Sequence, residues 1–347
     1  MTNKRQDSIL AFLQKAGSAT RNQVAQHLAS TGVVVSNVTL LRDLGTLAHA
    51  KLVERSGAGR GTRYALGIQS ALTFPVDVDA YFALGQDERK LRCQSFNFSV
   101  FQEMHHLLDD EDIAELDALN RFYLQKRAKL SPGLVRRELE RLTIEFSWKS
   151  SRMEGNTYTV FEAEHLLKEN VSAFGKSVEE AQMLLNHKKA LEHVLKAPEN
   201  FRETSVAKIL ELHRLLVEGL PITPGIRNGK VGIVGSYYSP PENRVQIEEA
   251  MEGLVALLRR IKHPLERAMM AVLLLSCIQP FEDGNKRTAR ILGNAILVAD
   301  DFCPLSYRSV DEIEYRKAVI LFCEQNNAGY FRKLFLEQFR MAVDTYF

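Results

Sequence analysis

Apolar residues recur along most of this chain at the spacing of helices that bury one face. Val135, Leu139, Leu142 and Phe146 follow at intervals of four, three and four, which predicts an amphipathic helix. The row continues through Ser150 to Glu154, and Gly155 stands where a glycine ends a last turn. The longest apolar run, eleven residues from Ala268 to Ile278, is too short to span a bilayer and fits a buried core helix. A further helix is predicted over Arg287 to Ala299, which leaves Asp283 to Lys286 as the connecting loop. Near the start, Ile9, Leu10 and Leu13 mark one short helix, Val24 and Leu28 a second, and Ser36 caps a third that turns Leu40, Leu44 and Leu47 inward. Strand patterns are few. Leu52 to Arg55 and Arg63 to Leu66 flank the glycine-rich turn Ser56 to Thr62, and Lys230 to Val234 alternates between prolines and glycines that exclude a helix. Both stretches predict hairpins, the second within a segment 225–241.

The fold class this implies is mainly α, with one hairpin in the helical part and a small α+β domain at the start. Three helices followed by a basic hairpin over residues 1–68 resemble a winged helix-turn-helix. Residues 69–86 contain Pro75 and little helical period, so they read as a connector. From Asp87 onward helices dominate, with breaks at Ser131-Pro132-Gly133, at Phe174-Gly175 and at 225–241. We divide this part into a helical region 87–202 and a core 203–347, and find no internal repeat.

Charge distinguishes the first domain. Residues 1–66 hold nine Lys or Arg against three acids, while the whole chain of 347 residues is only +2, so the remainder is acidic. A cationic module on an otherwise slightly acidic protein is the footprint of nucleic-acid binding. Asn37, Thr39 and Arg42 on the third helix would face a major groove, and Arg60 and Arg63 on the wing would reach phosphate or the minor groove. Such modules also dock proteins, and those that read palindromes pair as homodimers. Composition is otherwise that of a globular protein, 45% apolar and 25% charged. No secretory pattern opens the chain, and Cys93, Cys277, Cys303 and Cys323 lack metal-type spacing. They read as reduced, mostly buried thiols of a cytoplasmic protein, with no zinc site expected.

Chemistry concentrates in Gln279-Pro280-Phe281-Glu282-Asp283-Gly284-Asn285-Lys286-Arg287-Thr288-Ala289-Arg290. Backbone N–H groups of Gly284, Asn285 and Lys286 would sit unpaired at a helix N-terminus, where anions bind. Arg287 and Arg290 are three apart, hence on one face, and can reach one polyphosphate. Asp283 can share Mg²⁺ with phosphate oxygens, since that ion takes one or two carboxylates plus phosphates.

This run resembles the signature of the Fic family, His-Pro-Phe-x-Asp/Glu-Gly-Asn-Gly/Lys-Arg-x-x-Arg. The resemblance implies an all-helical Fic fold with a hairpin flap at 225–241, and AMP transfer from ATP onto a protein hydroxyl. It implies Asp283 as metal ligand, Gly284 to Lys286 as anion hole, Arg287 and Arg290 as phosphate ligands and Phe281 as loop anchor, with Asn285 and Arg287 in the catalytic set. A target protein would dock on the flap by main-chain pairing. Lys286 stands where most members have glycine; the Doc branch has lysine there and transfers phosphate.

Gln279 departs from the pattern, occupying the place of the general-base histidine. An amide has no useful pKa near neutrality, and loss of a positioned base costs on the order of 10²–10⁴ in rate. A second element, Ser150-Ser151-Arg152-Met153-Glu154-Gly155, fits the family's inhibitory pattern, Ser/Thr-x-x-x-Glu-Gly/Asn. The resemblance implies that Glu154 pairs with Arg290 and displaces the γ-phosphate; a carboxylate competes with phosphate for one guanidinium. The expected protein binds ATP and Mg²⁺ and resembles adenylyltransferases, autoinhibited by Glu154 and impaired by Gln279. The alternative is a catalytically silent, ATP-sensing DNA-binding regulator.

Overall fold

A computed structural model describes residues 2–104 and 106–347, the side chain of Arg60 excepted, so the contact expected of Arg60 lies outside the described residues. The first domain consists of α1 (Lys4–Ala16), β1 (Ser18–Thr20), α2 (Arg21–Ser30), α3 (Asn37–His49), β2 (Val53–Ser56) and β3 (Arg63–Leu66). Its strands form an antiparallel sheet in the order β1-β3-β2, with Val53 opposite Leu66 and Ser18 opposite Ala65. Asn3 and Thr20 close capping boxes with Gln6 and Gln23, and Ser36 accepts from the Thr39 N–H at 3.2 Å, so each helix start is satisfied by its own sequence. Ile9, Leu13, Val24, Leu28, Leu40, Leu44 and Leu47 share one core with Val53 and Leu66. Arg5 pairs with the buried Asp43, tying α1 to α3.

The segment read as a connector carries two short helices, α4 (Ile68–Thr73) and α5 (Val78–Ala83). Each is six residues, too short for a periodic pattern to show. There follow α6 (Val100–Glu103), α7 (Asp110–Ala128), α8 (Pro132–Arg152), α9 (Val160–Glu169), α10 (Val178–Lys196), α11 (Val206–Val217), α12 (Arg244–Arg260), α13 (Pro264–Ile278), α14 (Asn285–Ala299), α15 (Glu312–Gln325) and α16 (Gly329–Thr345). The centre is α13 and α14, the two helices that the apolar runs predict. Nearly every residue of both is buried, and they make the most extensive helix pair of the molecule. Gly293 allows the approach: a Cβ there would lie 2.8 Å from Val272 Cγ2. Helices α8, α10 and α11 pack against α14, which brings the end of α8 to the start of α14.

Two expectations are corrected. Residues 225–241 form no hairpin; among the described residues their only strand-type pairing is a parallel bridge between Ser239 and Ser95. Lys230 to Val234 has no partner ladder; the segment is fastened instead at its two ends, through Gly229, Ser239 and Pro241, as described below. The four cysteines are not all free thiols. Cys277 on α13 and Cys323 on α15 form a disulfide across a sequence separation of 46, while Cys93 and Cys303 are free and buried. Spacing could not show this pair, because only the packing of α13 on α15 brings the two Cα atoms to 5.6 Å. Among the described residues, no helix is long and apolar enough to cross a membrane.

Candidate nucleotide site

Helix α13 stops where its chain turns left-handed. Gln279 has φ 48° and ψ 57°, its N–H bonds to Leu275 C=O at 3.1 Å, and Pro280 has no N–H with which to continue the helix. The Gln279 amide Nε2 donates back to Ser276 C=O at 2.5 Å. Phe281 is fully buried and lies face to face with His213 of α11, ring centroids 3.7 Å apart. Asn285 closes the loop from the other side: its Oδ1 accepts from Phe281 N–H and its Nδ2 donates to Phe281 C=O, both at 2.9 Å. The Asn285 side chain is thus a loop clamp, and what it offers an anion is its backbone.

Gly284 caps α14 at φ 81°, a conformation that costs an L side chain about 1–2 kcal/mol. The first intrahelical bond runs from Thr288 N–H to Gly284 C=O at 2.8 Å, so the N–H groups of Asn285, Lys286 and Arg287 lie ahead of it. Asp283 is two-thirds exposed. Its Oδ1 accepts from Gly284 N–H at 2.6 Å, and its Oδ2 pairs with Arg287 Nη2 at 3.0 Å.

Both arginines are almost wholly buried, Arg287 at 1% and Arg290 at 0% exposure. Arg287 Nε and Nη1 have no hydrogen-bond partner among the described residues. A buried guanidinium with unused donors costs free energy unless an acceptor fills it, which makes this the strongest mark of an anion site. Arg290 is engaged on two of its three nitrogens: Nε donates to Ser150 Oγ at 2.7 Å, and Nη2 donates to Ser150 C=O at 2.8 Å and to Glu154 Oε1 at 2.9 Å, while Nη1 has no partner among the described residues. The other Glu154 oxygen lies 3.5 Å from Lys286 Nζ. Burial raises the Glu154 pKa, but Arg290 first and Lys286 next outweigh it and hold the carboxyl below its usual value. Helix α8 ends at Arg152, so Glu154 stands in the turn beyond it and not on the helical row; Gly155, at φ 96°, completes that turn.

The structure therefore brings together Ser150, Glu154, Gln279, Asp283, Gly284, Asn285, Lys286, Arg287 and Arg290, with Gly155 in the adjoining turn. It adds two residues that periodicity did not single out. His213 bonds through Nε2 to Asp283 C=O at 3.0 Å and accepts at Nδ1 from Gly225 N–H at 3.4 Å, which fixes the neutral Nε2–H tautomer. Burial chiefly pushes its pKa down to about 4. Its place four residues after Ile209, on the apolar face of α11, is the signal that marks it as buried. Arg227 is 2% exposed and fastens segment 225–241 to the loop. Its N–H bonds to Pro280 C=O at 2.9 Å, its Nε to Gln279 C=O at 2.7 Å, and its Nη groups to the Gly229 and Pro241 carbonyls at 2.5 and 2.6 Å. These bonds take the place of a hairpin ladder.

The residues expected to meet DNA lie apart, on the first domain. Asn37 and Arg42 are exposed on α3, and Thr39 is half-buried with its hydroxyl 2.9 Å from Ser36 Oγ. Arg63 is exposed as well, and its guanidinium donates to Ser18 Oγ and Ser18 C=O, both at 3.0 Å, because β3 is the central strand and β1 lies beside it.

A loop and helix start holding two buried arginines within a helical fold present the donors that an anion would need. Residues 203–297 match the model of the Fic/DOC family. A protein adenylyltransferase Fic from Nematostella vectensis is 30% identical over 185 residues, 52% of this chain and 43% of its own. One from Drosophila willistoni is 29% identical over 206 residues, 57% and 40% of the two chains. The chain thus spans about two-fifths of the length of these curated relatives. Among solved structures, Fic-1 from C. elegans shares the fold over 99% of this chain and 98% of its own, with a TM-score of 0.57 at 19% identity. A Fic domain containing signaling protein from Bacteroides thetaiotaomicron does so over 67% and 92%, with a TM-score of 0.55 at 22% identity.

Proposed function

We propose that this protein binds ATP with Mg²⁺ on an adenylyltransferase scaffold, that Glu154 restrains the site, and that Gln279 impairs transfer. The observation that carries the reading is the unequal state of the arginines: Arg287 has two buried nitrogens without a partner among the described residues, while Arg290 is held by Ser150 and Glu154 and only its Nη1 is left over. A polyphosphate would take the α14 N-terminal amides and Arg287 directly, and would reach Arg290 only by displacing Glu154. The relatives named as protein adenylyltransferases make AMP transfer to a protein hydroxyl the activity of first choice. Asp283 fits the metal: it offers a largely exposed single carboxylate at the edge of the phosphate cradle, the donor set Mg²⁺ shares with phosphate oxygens. When bound, the ion would neutralise charge developing on the phosphates.

Positioning carries most of phosphoryl transfer, so a slow reaction is compatible with Gln279. One observation favours a second reading, a silent ATP sensor: the Gln279 amide is folded back onto Ser276 C=O. In either reading the cationic first domain is a DNA-binding module, and segment 225–241 receives the target protein.

Calorimetry of wild type and Glu154→Gly with ATP and Mg²⁺ tests the nucleotide reading. Release of Arg290 should tighten binding by about tenfold, or ~1.4 kcal/mol. No heat with either protein would end it. Gln279→His combined with Glu154→Gly should then transfer labelled AMP to itself or to a lysate protein. A silent double variant that still binds ATP would select the sensor.

A further inference from the structure

The stretch between the first domain and the core does more than join them. Tyr81 of α5 donates to Glu324 Oε2 at 2.6 Å, and Arg89 grips the same carboxylate through Nε at 3.1 Å and Nη2 at 3.0 Å. Glu324, at the end of α15, is fully buried, and Ser236 of the 225–241 segment also donates to it, at 2.6 Å. One carboxylate thus gathers donors from α5, from the stretch after it and from the flap segment. Arg89 touches that segment directly as well, donating to Gly235 C=O, and Tyr237 donates to Asp87. Further along, Ser239 N–H bonds to Gln94 C=O at 2.9 Å and Phe96 N–H to Ser239 C=O at 3.2 Å. Residues 87–96 therefore cover one side of 235–239.

Between Arg89 and Gln94 stands Arg92, which faces the other way. Its Nη2 donates to Leu66 C=O at 2.5 Å, at the end of β3, and lies 3.8 Å from Glu54 of β2. Glu54 in turn accepts from Ile68 N–H at 2.9 Å. Neighbouring residues of one short stretch thus hold the sheet of the first domain on one side and the flap segment on the other.

We infer that residues 81–97 are a clasp that couples the N-terminal domain to segment 225–241, so that a change in how the domain is seated alters the freedom of the flap. The coupling is reciprocal, as any linkage between two sites must be. It rests on backbone and side-chain bonds between three parts of the chain and does not depend on the nucleotide reading.

Hydrogen exchange read by mass spectrometry on the full chain tests it. Arg92→Ala removes the link to β2 and β3 and touches nothing in the flap. We expect exchange in 229–241 to rise by about fivefold, the lower end of coupling between sites, with α13 and α14 unchanged. Tyr237→Phe, which loses the hydroxyl's bonds to Asp87 and Gln86, should raise exchange both in 229–241 and in 86–97. Flap exchange equal to wild type in Arg92→Ala would overturn the inference. So would a uniform rise across α13 and α14, since that reports general loosening and no coupling.

Discussion

His213 shows how a single side chain can hold a loop in place. It stacks on the residue that anchors the loop, bonds the carbonyl of Asp283 and receives the N–H of Gly225, so three segments share one ring. Those bonds need the neutral imidazole, and burial lowers the pKa from 6.5 to about 4. The folded protein therefore stays unprotonated here while the unfolded chain takes up a proton as pH falls below 6.5. The contribution of His213 to stability is full above that pH and shrinks as pH drops toward 4. Denaturant titrations at pH 7 and pH 5 should show wild type losing about 2 kcal/mol more than His213→Phe over that interval. An equal loss in both proteins would place the pH dependence elsewhere. Glu154 behaves oppositely: its folded pKa is depressed, so its pair with Arg290 holds at neutral pH and is lost only as pH falls through a value below the ordinary carboxylate range.

Among the elements, α13 and α14 were legible because an eleven-residue apolar run and a motif-bounded helix can hardly be placed anywhere but the core. Their contact depends on Gly293, whose absent side chain lets Val272 approach. Gly293→Leu should destabilise the protein by about 3 kcal/mol, since the added carbons have no room and the neighbouring Val is stiff. Chemical denaturation measures this, and a loss below that expected for an exposed site would show that the helices can slide apart. Other elements were not legible, for distinct physical reasons. The flap pattern suggested a hairpin, but Arg227 and residues 94–96 satisfy its backbone groups instead. Helices of six residues leave no period to read, and a disulfide between helices is a product of tertiary packing. Glu154 was found by motif, while its second cation, Lys286, became visible only when α8 and α14 met.

At the scale of the whole molecule, the chain joins two units with opposite electrostatics, and the structure narrows which charges of the first one are available. Arg5 is paired with Asp43 and the exposed Arg63 is hydrogen-bonded to Ser18, whereas Arg42 stands exposed on α3 beside exposed Asn37. Arg42 is thus the cation that α3 offers a phosphate. Val34, Val38 and Leu41 put apolar atoms on or next to the same helix, which suits thymine methyl groups and a protein surface equally well. Salt separates the two. If α3 meets DNA, fluorescence anisotropy with a labelled duplex should show affinity falling steeply with salt. Arg42→Ala should then lower affinity and reduce the slope of log K against log salt by about one, because one phosphate contact and its counterion are lost. A wild-type protein whose duplex binding is absent at low salt, or a slope that Arg42→Ala does not move, would turn the apolar atoms of α3 into the better guide and make the domain a protein-docking module.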